Sequence, residues 1–435
     1  MSTTLTEDKT KVGNYFVSNY PPFSVWSSDN VEEALQVLNK PGDKKNPLGL
    51  YVHIPFCRKR CHFCYFKVYT DVNSAQVNDM LDKLVLELEM YVQKPFINGR
   101  QLDFVYFGGG TPSYLSIKQL LSLTDRLRAF LPWDGTQEVA FECEPGTLTE
   151  DKLKAIKDLG VTRLSLGVEN FDDNILELNG RAHRRGEINR AYNFARTVNF
   201  DQINVDLISG MVGETEENWK DCTSKVVEMD PDSVTIYQME VPYNTGIYKE
   251  MQEQHAESVP IANWPIKRRW VDYAFNELEA NGYDIASAYT AVKKKEKPIQ
   301  FIYRDRLWEG ADMISLGVAS FAHIAGTHFQ NKKELADYNE SIENGELPLW
   351  RAYTPIDEER MIREFILQLK LGKLKPAYFQ SKYGVDVISR FNVALTGWKE
   401  HGYLDFDEDE ICLTRKGLLR ADGLLPAFFL PEHQD

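Results

Sequence analysis

Residues 48–66 read LGLYVHIPFCRKRCHFCYF: an apolar run, a proline at 55, then three cysteines within eight residues. The run has the character of a strand, and the stretches after it repeat a strand–helix unit. AQVNDMLDKLVLELEMYVQ (75–93) spaces apolar residues three and four apart, as an amphipathic helix does. LDFVYFGGG (102–110) reads as strand then glycine turn, IKQLLSLTDRLRAFL (117–131) as helix, EVAFECEP (138–145) as strand. EDKLKAIKDLG (150–160) is a helix closed by Gly160. VTRLSLGVEN, RRGEINRAYNFART, FDQINVDLISG, ENWKDCTSKVVEMD and DSVTIYQMEV continue the alternation to residue 241.

About six such units fit residues 48–245. Near-continuous apolar strands alternating with helices predict an α/β fold with a parallel sheet covered by helices. The short, regular connections favour a full or partial (β/α) barrel over an open dinucleotide-binding sheet. Barrels of this kind place function at the C-terminal ends of their strands. The chemically unusual residues fall there. Cys57, Cys61 and Cys64 follow the first strand. Gly108, Gly109, Gly110 and Thr111 follow the second, Glu142 and Glu144 lie on the third, Glu169 after the fourth and Asp206 on the fifth.

Four segments follow from the pattern. Residues 1–47 are an irregular, proline-bearing lead-in with one short helix at VEEALQVLN, and residues 48–245 are the barrel. Residues 246–354 form an extension that opens with the linker-like TGIYKEMQEQHAESVP and completes the site. Residues 355–435 form a mostly helical module whose GYLDFDEDEICLTRKGLL resembles the hairpin of a winged helix.

Fifty Lys and Arg against sixty-five Asp and Glu give a formal charge of −15, which argues against nucleic-acid binding. With 43% hydrophobic and 12% aromatic residues, the chain has ample material for a core. The start of the sequence, MSTTLTEDKTKVGNYF, is polar, and no apolar run reaches the roughly 20 residues that span a bilayer. The expectation is a cytoplasmic protein that is not integral to a membrane.

Cys57-x-x-x-Cys61-x-x-Cys64 is the strongest single signal. Three thiolates so spaced can hold three irons of a 4Fe–4S cluster, with the fourth then open to a small molecule. Zinc is the alternative, with His53 and His62 nearby, but a structural zinc site takes four closed ligands.

YVHIPFCRKRCHFCYF resembles the cluster loop of the radical S-adenosylmethionine (SAM) superfamily, in its oxygen-independent coproporphyrinogen III oxidase-like branch. VYFGGGTPSYL, FECEPGTL, LSLGVENF, LNGRAH, NVDLISGM and SLGVAS extend the resemblance over roughly residues 48–425. The resemblance implies that the open iron chelates SAM, whose reductive cleavage gives methionine and a 5′-deoxyadenosyl radical. It assigns Cys57, Cys61 and Cys64 to the cluster, and Tyr51, Gly108, Gly109, Gly110, Thr111, Glu142, Arg181 and Asp206 to SAM. It also implies an electron donor such as a flavodoxin or ferredoxin.

Two positions depart from the coproporphyrinogen branch: Phe66 stands where a further cysteine is typical, and Glu169 where a glutamine is typical. The haem-chaperone branch typically carries an HNxxYW-like phrase, and here the comparable stretch reads FIYRDRLWEGADM. These departures lead to the family's class C methyltransferases. Such an enzyme would use two SAM molecules, act on a ring carbon of a flat substrate such as a naphthoquinone, and draw on Glu169 and His323 as acid–base candidates. Oxidative decarboxylation of coproporphyrinogen III is the alternative, with Arg181, Arg304 and Arg306 to receive a tetrapyrrole's propionates. Haem trafficking is a third.

Overall fold

The computed structural model describes residues 11–255 and 259–434. Its centre is a twelve-stranded sheet. The parallel strands are β1 (Leu48–Ile54), β2 (Phe104–Gly109), β3 (Glu138–Cys143), β4 (Arg163–Glu169), β5 (Gln202–Ser209) and β6 (Ser233–Gln238). They lie side by side in sequence order, as the six repeated units require. The extension adds strands that the sequence reading did not assign. β7 (Tyr283–Ile285) and β8 (Thr290–Lys293) run antiparallel beyond β6. β9 (Asp312–Leu316) pairs parallel with β1, and β10 (Phe321–Ile324), β11 (Thr327–Asn331) and β12 (Leu349–Tyr353) continue antiparallel. The order runs from β12 at one edge to β7 at the other, so the barrel is partial.

The strands do not read as continuous apolar runs once their faces are separated. Leu50, Val52, Ile54, Val105, Phe107, Val139, Phe141, Leu164, Leu166, Val205, Leu207, Val234 and Ile236 all lie within 3% of full burial and share one core with the helices. That face packs under helices Ser74–Val92, Ile117–Phe130, Glu150–Asp158, Arg185–Val198 and Glu216–Met229. Asn73, Ser116, Thr149 and Thr215 cap four of these helices with side-chain acceptors. The alternate residues face the other way and are polar or aromatic: Tyr51, Tyr106, Glu142, Ser165, Asn204, Asp206 and Tyr237 among them. This period of two is the sheet's own geometry, and it converts six half-polar strands into a polar inner face.

Deep on that face, at the N-terminal end of the strands, Arg163 and Glu138 form a buried pair at 2.9 Å, with side chains 5% and 4% exposed. Glu138 also accepts the backbone N–H groups of Ile302 and Tyr303, fixing the start of helix Ile302–Trp308 beneath the sheet.

The stretch from 245, expected as linker, is the helix Gly246–Glu253. The C-terminal residues form helices Asp357–Leu369, Pro376–Tyr383 and Asn392–Glu400 beside a small antiparallel sheet of β13 (Lys373–Leu374), β14 (Leu404–Phe406) and β15 (Ile411–Leu413). Residues 11–47 of the lead-in form a strap. Gly13 bridges Val241, Ser27 bridges Ala352, and Tyr20 is fully buried in the C-terminal core.

His323 is a correction. It faces Met313 across β9–β10, and Met313 pairs with Gly49 near the start of β1, away from the strand C-termini. Its Nδ1 meets His328 Nδ1 at 3.0 Å, and His328 Nε2 meets the Tyr20 carbonyl at 3.1 Å. Burial, with Arg363 nearby, holds both imidazoles well below their usual range and so neutral. His323 ties the strap to the sheet and is not brought together with Glu169. Arg306 is also displaced from its expected role, since it pairs at 3.0 Å with Asp103, just before β2.

Replacing Arg163 by Met leaves the Glu138 carboxylate buried without its cation. The expected cost is about 3–5 kcal/mol in urea denaturation at neutral pH. A loss below about 1 kcal/mol would show that the pair is not holding the base of the sheet.

Candidate active site

The cysteine loop leaves β1 at Pro55 and is closed by two backbone bonds, Tyr69 N–H to the Pro55 carbonyl at 2.8 Å and Cys57 N–H to the Tyr69 carbonyl at 3.1 Å. His62 is pinned on both sides, its N–H to Asn179 and its carbonyl from Ile247 N–H, each at 3.0 Å. Arg58 makes a two-pronged contact with Glu144 at the end of β3, at 2.9 and 2.8 Å. His183 Nδ1 reaches the same carboxylate at 3.2 Å. Burial alone would raise Glu144, but hydrogen bonds from His183 and Arg58 hold it down at about 2. Burial lowers His183, so the fixed charge opposite Glu144 is Arg58.

The sulfurs sit among specific partners. Cys57 Sγ lies 3.3 Å from Thr111 Oγ1, and Arg181 Nη1 donates to Cys61 Sγ at 3.3 Å. All three thiols are free. Burial pushes Cys57 up to about 11 and Cys64 up to about 12. Such thiols become thiolates when a metal centre draws off their protons.

Among the described residues no three ligating side chains converge at single-ion distance. Three free thiols on one loop suit a cuboidal cluster, whose separate irons each take one thiolate. The glycines support the same fit. A Cβ on Gly110 would lie 3.0 Å from Cys57 Sγ and 2.9 Å from the Pro55 carbonyl carbon. Gly109, at φ +111°, would place one within 2.6 Å of the His53 ring. The backbone therefore approaches the sulfur loop as only glycine permits.

The inner face supplies the rest of the site. Glu142 accepts the Tyr106 hydroxyl at 2.6 Å and Gly109 N–H at 3.1 Å. Asp206 accepts the Ser165 hydroxyl and Asn204 Nδ2, each at 2.9 Å. Glu169 sits at φ +65° where the β4–β5 register slips, which turns its carboxylate towards Arg181 at 3.5 Å. Arg181 also donates to the Gly167 carbonyl. Tyr51 stacks near Tyr106 at 5.7 Å, and its hydroxyl lies 3.2 Å from His53 Nδ1. His53 Nε2 and Ser315 Oγ are buried without a hydrogen-bond partner among the described residues.

Burial raises the carboxyls, Glu142 to about 7, Glu169 to about 7 and Asp206 to about 6, and the charge of Asp206 adds to the rise of the two glutamates. Such a cluster binds protons readily and favours a cationic ligand group. Cys57, Cys61, Cys64, Gly108, Gly109, Gly110, Thr111, Tyr51, Glu142, Glu169, Arg181 and Asp206 thus fall on one end of the sheet, and His323 does not. Arg58, His183 and Tyr237 were missed. The alternation within SVTIYQ placed Tyr237 on the inner face, but nothing local marks Arg58 or His183.

Two predictions follow from this geometry. Gly110→Ala is expected to lower iron and sulfide content after reconstitution while leaving far-UV circular dichroism unchanged. Wild-type metal content would mean the loop tolerates a side chain. The second concerns pH in ligand-free protein. The raised carboxyls hold more protons folded than unfolded between about pH 4.5 and 7, so stability falls as pH rises through that window. Glu169→Gln is expected to flatten the fall by up to about 1.4 kcal/mol per pH unit in denaturation series, and an unchanged slope would contradict it.

A family model described as the Radical SAM superfamily matches residues 51–225. The haem chaperone HemW of Bacillus subtilis is 28% identical over 383 residues, covering 87% of this chain and 98% of that protein. The oxygen-independent coproporphyrinogen III oxidase of Escherichia coli is 27% identical over 425 residues, covering 94% and 91%. The solved structure of the Escherichia coli enzyme superimposes with a TM-score of 0.83 at 24% identity, covering 97% of this chain and 99% of that one. A radical SAM domain works with a 4Fe–4S cluster and SAM, and the cysteine loop and glycine cradle fit both.

Proposed function

We propose, for a chain that carries a radical SAM domain and is homologous over nearly its whole length to oxygen-independent coproporphyrinogen III oxidase, that it is an enzyme taking hydrogen from a tetrapyrrole-type ring substrate. The observation that carries this reading is the extent of the match. It runs through the extension and the C-terminal module, the parts outside the shared radical SAM domain. Those are the parts in which a ring substrate would be recognised.

Cys57, Cys61 and Cys64 would hold the cluster, and the glycine cradle with Glu142, Asp206 and Tyr51 would hold SAM. Bound together, the two supply a carbon-centred radical able to take a hydrogen atom from an unactivated carbon. The chain's own residues position and shield. Arg181 steadies the Cys61 sulfur and the Glu169 carboxylate at once. Glu169, raised to about 7, is placed to accept or return a proton near neutral pH. An external one-electron donor of the flavodoxin or ferredoxin type completes the chemistry.

The methyl-transfer expectation finds no support in the relatives described above, which are an oxidase and a chaperone. Oxidative decarboxylation agrees with the oxidase, but its propionates need cations. Arg306 pairs with Asp103 and Arg304 with Asp305 at 2.8 Å, and of the three arginines Arg181 is the one that touches the cysteine loop. Haem carriage is the second reading, favoured by the match to the chaperone.

Anaerobically reconstituted protein, given SAM, a strong reductant and coproporphyrinogen III, is expected to form 5′-deoxyadenosine only with the ring present. The ring should lose carbon dioxide, and no S-adenosylhomocysteine should appear. Stable haem retention without ring-dependent deoxyadenosine would move the assignment to carriage. S-adenosylhomocysteine with a methylated ring would restore methyl transfer.

A further inference from the structure

Arg363 is a buried cation without an acid. It lies on helix Asp357–Leu369 and is 4% exposed. Its hydrogen bonds go to neutral oxygens, from Nε to Asn19 Oδ1 at 2.7 Å and from Nη1 to the Leu307 carbonyl at 3.1 Å. No carboxylate pairs with it among the described residues. The acids nearby are taken: Lys382 holds Glu364 at 2.8 Å, Tyr378 donates to it at 2.6 Å, and Arg360 holds Asp357 at 3.2 Å. Burial lowers the Arg363 guanidinium to about 10. Other buried arginines have their counter-charge. Arg163 has Glu138, and Arg100 has Asp312 at 2.9 Å. A buried charge left unanswered is costly, and an anionic ligand group removes that cost.

The surroundings of Arg363 place it beside the inner face. Ala322 and Ile324 belong to the core shared with the helices, so His323 between them faces inward, as does Met313 opposite it. Met313 packs with Tyr51, Ile302, Tyr303 and Leu307. Arg363 donates to that same Leu307, and it is the leading charge felt by the His323 and His328 rings. The Tyr303 phenol feels it too, and the Tyr303 ring lies 4.3 Å from that of Tyr106, the residue that donates to Glu142. Both imidazoles are neutral, so they add no charge of their own. Met313 is level with Gly49, and from Gly49 to His53 a strand rises about 13 Å. The inner face therefore has acids near the cysteine loop and an unanswered cation about 13 Å lower.

We propose that Arg363 receives a carboxylate of the substrate at the covered end of the inner face, remote from the carbon that reacts. The proposal rests on the reading of the chain as an enzyme of a tetrapyrrole-type substrate. It deepens that reading by supplying the cation that the propionates need. A porphyrinogen carries a propionate on each pyrrole ring, so the one that reacts near the cluster leaves others to be anchored elsewhere. The planar fork of an arginine suits a carboxylate, and fixing one propionate decides which of the others reaches the radical.

The test uses the full chain, reconstituted without oxygen, and two probes that differ only in charge. One is coproporphyrin III, the oxidised form with the same propionates, and the other is its fully amidated derivative. Fluorescence titration gives the dissociation constants, with iron, sulfide and the electron paramagnetic response to SAM measured on the same samples. Arg363→Gln is expected to weaken coproporphyrin III roughly 10- to 100-fold and to leave the amide within about twofold. The Michaelis constant for coproporphyrinogen III should rise by a similar factor. Cluster content and the SAM response should not change. Arg363→Lys keeps the charge and loses the fork, and it is expected to weaken the acid about threefold to tenfold and the amide not at all. It replaces the glutamine variant if that one fails to fold. Equal losses for both probes would show that Arg363 only ties the strap to the helices, and would overturn the proposal. So would variants that bind coproporphyrin III as wild type does, or a wild type that does not prefer the acid to the amide. Charge-dependent binding that Arg363→Gln abolishes, from a wild type that makes no ring-dependent deoxyadenosine, would keep the carboxylate site and remove the enzymatic reading.

Discussion

The structure depends on one constraint: each of the six parallel strands must be apolar towards the helices and polar towards the inner face. A buried polar group costs several kcal/mol unless it is bonded, so the inner face can exist only as a network. Glu138 answers Arg163, Asn204 and Ser165 answer Asp206, and Tyr106 answers Glu142. Going up the strands the network thins. At the C-terminal end His53 Nε2 and Ser315 Oγ have no partner among the described residues, and Glu169 and Asp206 have Arg181 as a common cationic neighbour. A network complete at one end and incomplete at the other defines where a ligand belongs.

The cysteine loop is attached to that incomplete end by charge as well as by backbone. Arg58 reaches outward to Glu144, whose low proton affinity keeps the pair ionic across ordinary pH. Arg181 reaches inward, touching the Cys61 sulfur, the Gly167 carbonyl and Glu169. One arginine fixes the loop to the rim of the sheet, and the other places positive charge where thiolates and carboxylates crowd. Arg181 is met there by Glu169, which the turn in β4 sets at positive φ.

Much of this was legible in the sequence, for identifiable reasons. The strand–helix repeat set the parallel order because apolar periodicity is local. The cysteine spacing and the glycine run marked the site because few other structures need them. The additional strands from 283 to 353 were not legible, since runs such as TAVK and FAHI are short and take their pairing from β6 and β9 rather than from their own composition. His323 was misplaced for a related reason. A histidine beside glycine and aromatic residues looks reactive in sequence, but its register against Met313 puts it at the closed end, paired with His328. Register is a property of two strands, and one strand's sequence does not contain it.

The charge of the open end bears on the chemistry more than any single residue there. Glu169 brings a carboxylate to Arg181, so part of that arginine's charge is answered before any ligand arrives. With Glu142 and Asp206 nearby, and Arg304 and Arg306 paired elsewhere, the space favours groups that are neutral or positive. A substrate carboxylate entering this space therefore has Arg181 as its partner and must displace part of the Glu169 contact to reach it.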